Sequence, residues 1–197
     1  MNGRLIIATG NKGKVREIKR IFEGMYDEIL SLKDAGISVD IVEDADSFIG
    51  NAEKKALTIS RLVDSDVLAD DSGLCVDGLG GRPGVYSARY SAEGTDTANN
   101  KKLVEEVSAL PESERGAKYV CAMVLAKGGQ VICESTGECH GVIITHAEGD
   151  GGFGYDPYFS LPDYGITFGQ MDPDEKNKIS HRAKALFGIR KYLEERG

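Results

Sequence analysis

Four short stretches of the chain put charged, amide or glycine residues where a turn or a helix start would hold them. Thr9-Gly10-Asn11-Lys12-Gly13-Lys14 follows an apolar run and precedes a helical pattern. A strand, a glycine-containing loop and a helix N-terminus offer an anion backbone N–H groups and the positive end of a helix dipole, and Lys12 and Lys14 add full charges. The stretch is neither a Walker A loop nor a GxGxxG turn, and a surface turn with solvated lysines accounts for the same residues. Asp70-Asp71-Ser72-Gly73 follows Val67-Leu68-Ala69. Adjacent carboxylates repel unless a cation or hydrogen-bond donors compensate, and Mg²⁺ held by one or two carboxylates together with substrate phosphates does so. An Asx turn or helix cap is the plainer alternative. In Gly151-Gly152-Phe153-Gly154-Tyr155-Asp156 the glycines allow close backbone approach to a ligand. Phe153 and Tyr155 could stack on a base, worth ~1–3 kcal/mol, or plug the core from a tight loop. Lys176, Ser180, His181 and Arg182 stand at the start of a terminal helix. Lys176 and Arg182 suit a phosphate or a purine carbonyl, and His181 a hydrogen bond to a base; an exposed helical charge pattern explains them equally.

The elements that must position these groups follow from periodicity. Arg4–Ala8 predicts a buried strand, and Val15, Ile18, Ile21 and Phe22 predict a helix from Gly13 or Lys14. Ile37–Val42 predicts a second strand. Ser47 caps a helix through Leu62 with Phe48, Ala52, Ala56 and Ile59 on one stripe. Val67–Ala69 predicts a strand that ends in a loop at Asp70–Gly73, and Gly78–Gly84 a further loop. Thr95 or Asp96 caps a helix with Leu103, Val104, Val107 and Leu110 on its apolar face. Tyr119–Ala126 and Val131–Cys139 predict strands of a hairpin turning at Gly128-Gly129. Gly149–Tyr155 is loop, and one helix runs from Pro173 to Glu195. Interleaved strands and helices with one hairpin give an α/β fold with a mixed sheet.

The 197 residues suit a single domain, 1–197, or one domain with a small lobe. A net charge of −8 argues against a polymeric nucleic acid or an anionic membrane as partner, since both are polyanions. A small phosphorylated ligand needs only local cations. No apolar run approaches the roughly 20 residues of a membrane span, and Met1–Ile7 has no signal-peptide pattern, so the expected location is cytoplasmic. Cys75, Cys121, Cys133 and Cys139 have no zinc-like spacing; free thiols are expected, with a Cys121–Cys133 bridge left open. Motifs of serine hydrolases, zinc proteases and EF-hands are absent.

Together these stretches resemble the inosine triphosphatase-like (ITP/dITP/XTP) nucleoside triphosphate pyrophosphatases. Thr9–Lys14 looks like that family's T-G-N-x-G-K loop, and Ser47-Phe48 with Asn51-Ala52 and Lys55-Ala56 resembles its [ST]-F-x-E-N-A-x-x-K-A segment. Ala69–Leu74 matches A-D-D-S-G-L. Gly80–Tyr90 resembles G-G-x-P-G-x-Y-S-A-R-Y, Gly151–Asp156 matches G-G-F-G-Y-D, and Lys178–Arg182 resembles the terminal I-S-H-R motif. The blocks span almost the whole chain in family order. Gly50 stands where the family carries Glu; Glu43 keeps the family's acidic position upstream, with Asp44 and Asp46 nearby.

The resemblance implies a long twisted mixed β-sheet flanked by helices, two lobes with a central cleft, and a homodimer. It implies Mg²⁺-dependent hydrolysis of a purine nucleoside triphosphate to the monophosphate and pyrophosphate. On that reading Asp71 is general base and metal ligand, with Glu43 and Asp70 as further metal ligands. Lys14 and Lys55 neutralise phosphate charge. Thr9, Gly10, Asn11, Lys12, Gly13 and Lys14 hold the triphosphate, and Ser72 lies near the phosphates. Phe153, Gly154, Tyr155, Asp156, Lys176, His181 and Arg182 read the base. A donor facing the purine 6-position accepts a 6-oxo base and is opposed by the amino group of adenine, a mismatch that discriminates by orders of magnitude. The rival readings are a house-cleaning pyrophosphatase for other modified nucleotides and a nucleotide-sensing module without turnover.

Overall fold

The N-terminal apolar run becomes β1 (Arg4–Ile7) of a seven-stranded sheet in the computed structural model, which describes residues 3–196. The other strands are β2 (Glu28–Ser31), β3 (Asp66–Val76), β4 (Gly116–Lys127), β5 (Gln130–Ile143), β6 (Phe159–Leu161) and β7 (Ile166–Thr167), in the order β2-β1-β3-β4-β5-β6-β7. β1 pairs in parallel with both β2 and β3, whereas β6 is antiparallel to β5 and β7. Gly128 and Gly129 link β4 to β5 with positive φ at both residues (56° and 77°), the geometry of a two-residue hairpin turn. The helices are α1 (Lys12–Ile21), α2 (Phe48–Ser60), α3 (Asp96–Ser108), α4 (Pro173–Ile179) and α5 (His181–Glu194). The fold is therefore α/β with a mixed sheet and flanking helices. Among the described residues no helix is long and apolar enough to cross a membrane, and all four cysteines are free thiols.

The chain divides into two compact units. One comprises the described residues up to Asp71, Cys121–Gly137 and the described residues from Arg182 onward. Here β1 is buried on both faces, as central parallel strands are. Leu5 and Ile7 join Ile18 of α1 and Leu186 and Ile189 of α5, while Ile6 and Ala8 join Ala52, Ala56 and Ile59 of α2. The strand period of two thus sends alternate residues to two helical layers. The other unit is Ser72–Val120 and Glu138–His181. Its core gathers Leu74 and Val76 of β3, Leu103 and Val107 of α3, and the Tyr119, Phe159 and Phe168 rings.

Three sequence expectations are corrected. Ile37–Val42 is irregular chain. Ile37 and Ile41, half-buried, pack against the α2 core and Ile37 N–H donates to Leu32 O, while Val39 and Val42 are exposed, so the segment covers the core without a ladder. The place beside β1 belongs to Glu28–Ser31, in register Arg4↔Glu28. Asp70–Gly73 is not a loop: β3 runs through it to Val76, because lysine and asparagine partners compensate the two carboxylates. The terminal helix is two helices. Ser180, at φ −65° and ψ 157°, is extended and closes α4, and His181 opens α5.

Candidate active site

In the first unit, β3 delivers Asp70 and Asp71, α1 delivers Lys14, α2 delivers Asn51 and Lys55, and the loop before α2 delivers Glu43. Ser47 caps α2 by accepting from Gly50 N–H, which fixes where its first turn begins. Lys14 Nζ lies 2.5 Å from Asp70 Oδ2. Asp70 is 1% exposed. Burial pushes its pKa up, but Lys14, Arg182 and Lys55 outweigh burial and hold it well below the usual carboxylate range. Asp71 behaves oppositely. Burial raises its pKa, the nearby Glu43 charge adds to that, and the Asn51 hydrogen bond and Lys55 oppose it. Asn51 Nδ2 donates to Asp71 Oδ2 at 2.9 Å, and Lys55 Nζ lies 3.0 Å from Glu43 Oε1. Arg182 Nη1 donates to Glu17 Oε2 at 2.6 Å. Burial works against its charge, yet Glu17 and Asp70 overcome it and keep the guanidinium protonated.

This array suits a polyphosphate with a hard cation. Asp71 and Glu43 are close enough to raise one carboxylate's pKa, and the Lys55 charge acts on both. Their oxygens are the donor type a hard divalent ion takes, and Mg²⁺ sites commonly use one or two carboxylates and complete the shell with phosphate and water. Among the described residues no three His, Cys, Asp or Glu side chains gather around one point. At the N-terminus of α1, Asn11 Oδ1 accepts from the N–H groups of Gly13 and Lys14. Those two amides, expected to face an anion, are capped internally. Thr9, Gly10 and Lys12 lie in or beside the same turn, with Gly10 and Lys12 exposed. Ser72 continues β3, half-buried.

The second unit holds Phe153, Gly154, Tyr155, Asp156, Lys176 and His181. Tyr155 is core, its hydroxyl donating to Ser87 O at 2.6 Å, so it does not offer a face for stacking; Phe153 is the exposed ring of the loop. Asp156 is the hub. Its Oδ2 accepts from Phe153 N–H and from Lys176 Nζ, at 2.8 and 2.5 Å, and its charge, after burial, pushes up the Tyr119 pKa. Lys176 Nζ also sits 5.2 Å from the Phe153 ring centroid and 4.8 Å from that of Phe168. His181 stacks on Tyr119 with centroids 4.7 Å apart. Asp96 and Asn100 of α3 hold the loop at Gly154, through its N–H and its carbonyl respectively.

A family model, that of the Ham1 family, matches residues 5–192. The chain belongs to the Ham1 family. A Clostridium tetani protein named dITP/XTP pyrophosphatase is 48% identical over 193 residues, covering 96% of this chain and 95% of that protein. One of the same name from Geobacter sulfurreducens is 44% identical, covering 96% of each. The solved Ham1 proteins of Coxiella burnetii and Staphylococcus aureus superpose with a TM-score of 0.89 each, at 31% and 32% identity. They cover 98% of this chain, and the chain covers 98% and 100% of them.

Within this Ham1-family chain the first unit brings together Lys14, Glu43, Lys55, Asp70, Asp71 and Arg182, and the second contains the remaining base-reading candidates. Glu17 and Asn100 were not singled out from the sequence; Asp96 was read only as a possible helix cap, and Asn51 only as part of the Ser47–Ala56 motif, without a site role. For Asn51 a signal existed: it stands one helical turn before Lys55 beside the apolar stripe of α2, which marks a polar pair on a buried face.

Proposed function

We propose that this chain hydrolyses deaminated purine nucleoside triphosphates (ITP, dITP and XTP) to the monophosphate and pyrophosphate, with Mg²⁺, and so clears them from the cytoplasmic nucleotide pool. The observation that carries this is the array Lys14–Asp70, Lys55–Glu43 and Asn51–Asp71, partly open at Lys14 and Glu43, in a chain whose relatives are named dITP/XTP pyrophosphatases. Water attacks the α-phosphorus, the bond from that phosphorus to the α–β bridging oxygen breaks, and the water proton passes to Asp71. Lys14, Lys55 and the Thr9–Lys14 turn neutralise and hold the triphosphate; phosphoryl transfer depends chiefly on such positioning and charge. When bound, Mg²⁺ supplies further charge neutralisation, with Glu43 and Asp71 as its protein ligands. Asp70 was expected beside them, but its contact with Lys14 fits the part of fixing that lysine. Ser72 stands at the phosphate side. Phe153, Gly154, Asp156, Lys176, His181 and Arg182 keep the base-reading role; Asp156 acts by holding Lys176 and the loop. Arg182, bonded to Glu17, supports this role least directly.

The homodimer implied by the resemblance belongs to the same proposal, and light scattering at twice the chain mass tests it. The direct test is pyrophosphate release from ITP and XTP with Mg²⁺. Absence of release from any triphosphate by folded protein would favour the nucleotide-sensing alternative, for which Gly50 in place of Glu is the motivating feature.

A further inference from the structure

Asn51 is fully buried on α2, one turn before Lys55. Its carboxamide joins two parts of the proposed centre. Nδ2 donates to Asp71 Oδ2 at 2.9 Å, and Oδ1 accepts from Ala45 N–H at 3.0 Å. The neighbours dictate this orientation. A backbone N–H only donates and an ionised carboxylate only accepts, so the turned-over amide would oppose like groups at both ends. Ala45 stands two residues after Glu43, on the loop that enters α2 at Ser47. Lys55, four residues on from Asn51, holds Glu43 itself.

We infer that Asn51 is a positioning residue that, with Lys55, makes one turn of α2 a clamp setting the orientation and separation of the Asp71 and Glu43 carboxylates. A carboxylate turns about a broad terminal torsion; a directional bond from a fully buried helical side chain removes that freedom for Asp71. The Ala45 bond ties the Glu43 loop to the same amide. Residues i and i+4 lie on one face of a helix, so the relation between the two carboxylates is inherited from helical geometry and not from a flexible loop. Aspartate at 51 could not donate to Asp71, and alanine would reach neither partner. The inference rests on the reading of Asp71 and Glu43 proposed above.

The test uses the whole protein with Asn51→Ala, Asn51→Asp, Asp71→Asn and the double variant Asn51→Ala/Asp71→Asn. Mn²⁺ binding without nucleotide is measured by electron paramagnetic resonance, and kcat and KM are measured for ITP. Asn51→Ala is expected to weaken Mn²⁺ binding about tenfold and to lower kcat about 10–100-fold, with KM nearly unchanged because the phosphate-facing lysines are untouched. In the Asp71→Asn background, Asn51→Ala should weaken Mn²⁺ binding by less than it does in the wild-type background, because only the tie to the Glu43 loop is left to lose and residues acting through one group are non-additive. Asn51→Asp, which keeps the size and the Ala45 acceptor, should show the same kcat loss, and it replaces Asn51→Ala if that variant does not fold. Wild-type Mn²⁺ affinity and kcat in a folded Asn51 variant overturn the inference and leave the Asp71 reading standing. Additive losses in the double variant also overturn it. An Asp71→Asn protein with wild-type turnover contradicts the underlying reading instead.

Discussion

Asp71→Asn exchanges one carboxylate oxygen for an amide nitrogen and preserves volume, and its remaining oxygen can still accept from Asn51. The variant loses the proton acceptor and half of the paired charge offered to a cation. Turnover of ITP should fall about 10²–10⁴-fold, the usual range for a lost acid–base group, while the affinity for ITP measured by calorimetry stays close to wild type. Turnover within a few-fold of wild type would remove Asp71 from the role of base. Its neighbour Asp70 makes a different prediction. The folded protein holds the Asp70 pKa well below its unfolded value of ~3.9, so the folded state binds that proton more weakly. The resulting stability is fully present above the unfolded pKa and is lost as pH falls through the folded one. Asp71, shifted upward, favours the proton in the folded state and offsets part of that loss. In Lys14→Met the largest opposing cation at Asp70 is gone. Urea unfolding at about pH 7 and about pH 3 should therefore show a smaller acid-induced loss in the variant than in wild type. Equal losses would mean that Lys14 does not set the Asp70 charge.

The Gly151–Asp156 loop gives the sharpest prediction at the scale of elements. Gly152 has φ +76°, and a Cβ there would run into the Asp156 carboxylate, the group that holds Lys176. Gly152→Ala should cost about 1–3 kcal/mol from backbone strain alone, lower Tm, and raise KM for ITP more than it lowers kcat. A variant with wild-type Tm and KM would show that the loop adapts without loss. Elements whose determinants are local were legible in the sequence: α2 from its Ser47 cap and apolar stripe, β1 from its apolar run, and the β4–β5 hairpin from Gly128-Gly129. Those set by distant partners were not. The Asp70-Asp71 pair reads as a loop because aspartate is depleted in strands, yet Lys14, 56 residues away, allows the strand to continue. β2 has four residues, too few for a period, while Ile37–Val42 alternates but packs Ile37 and Ile41 against the α2 core without pairing in the sheet. The site shows the same division. Its motif residues stood out by type and spacing, whereas the part played by Arg182 depends on Glu17, 165 residues distant, and Asn51, legible as a motif residue, shows what it does only once its two partners are known.

For the whole molecule, a net charge of −8 coexists with an anionic substrate class because Lys14 and Lys55 stand where the phosphates are proposed to lie, and the carboxylates of that array, Asp70, Asp71 and Glu43, each face a lysine or an amide. The family match runs over residues 5–192 and so takes in parts of both units. The central claim is the reaction and its choice of base. Pyrophosphate release should be measured from ITP, XTP, GTP and ATP, with and without Mg²⁺, at neutral to alkaline pH. The account predicts fast release from ITP and XTP that depends on Mg²⁺, with ATP slower by orders of magnitude because its 6-amino group opposes the donor; GTP, which shares the 6-oxo group, should also be slower, through its 2-amino group. Equal rates on all four triphosphates would contradict the selectivity, and no release from any of them would contradict the reaction itself.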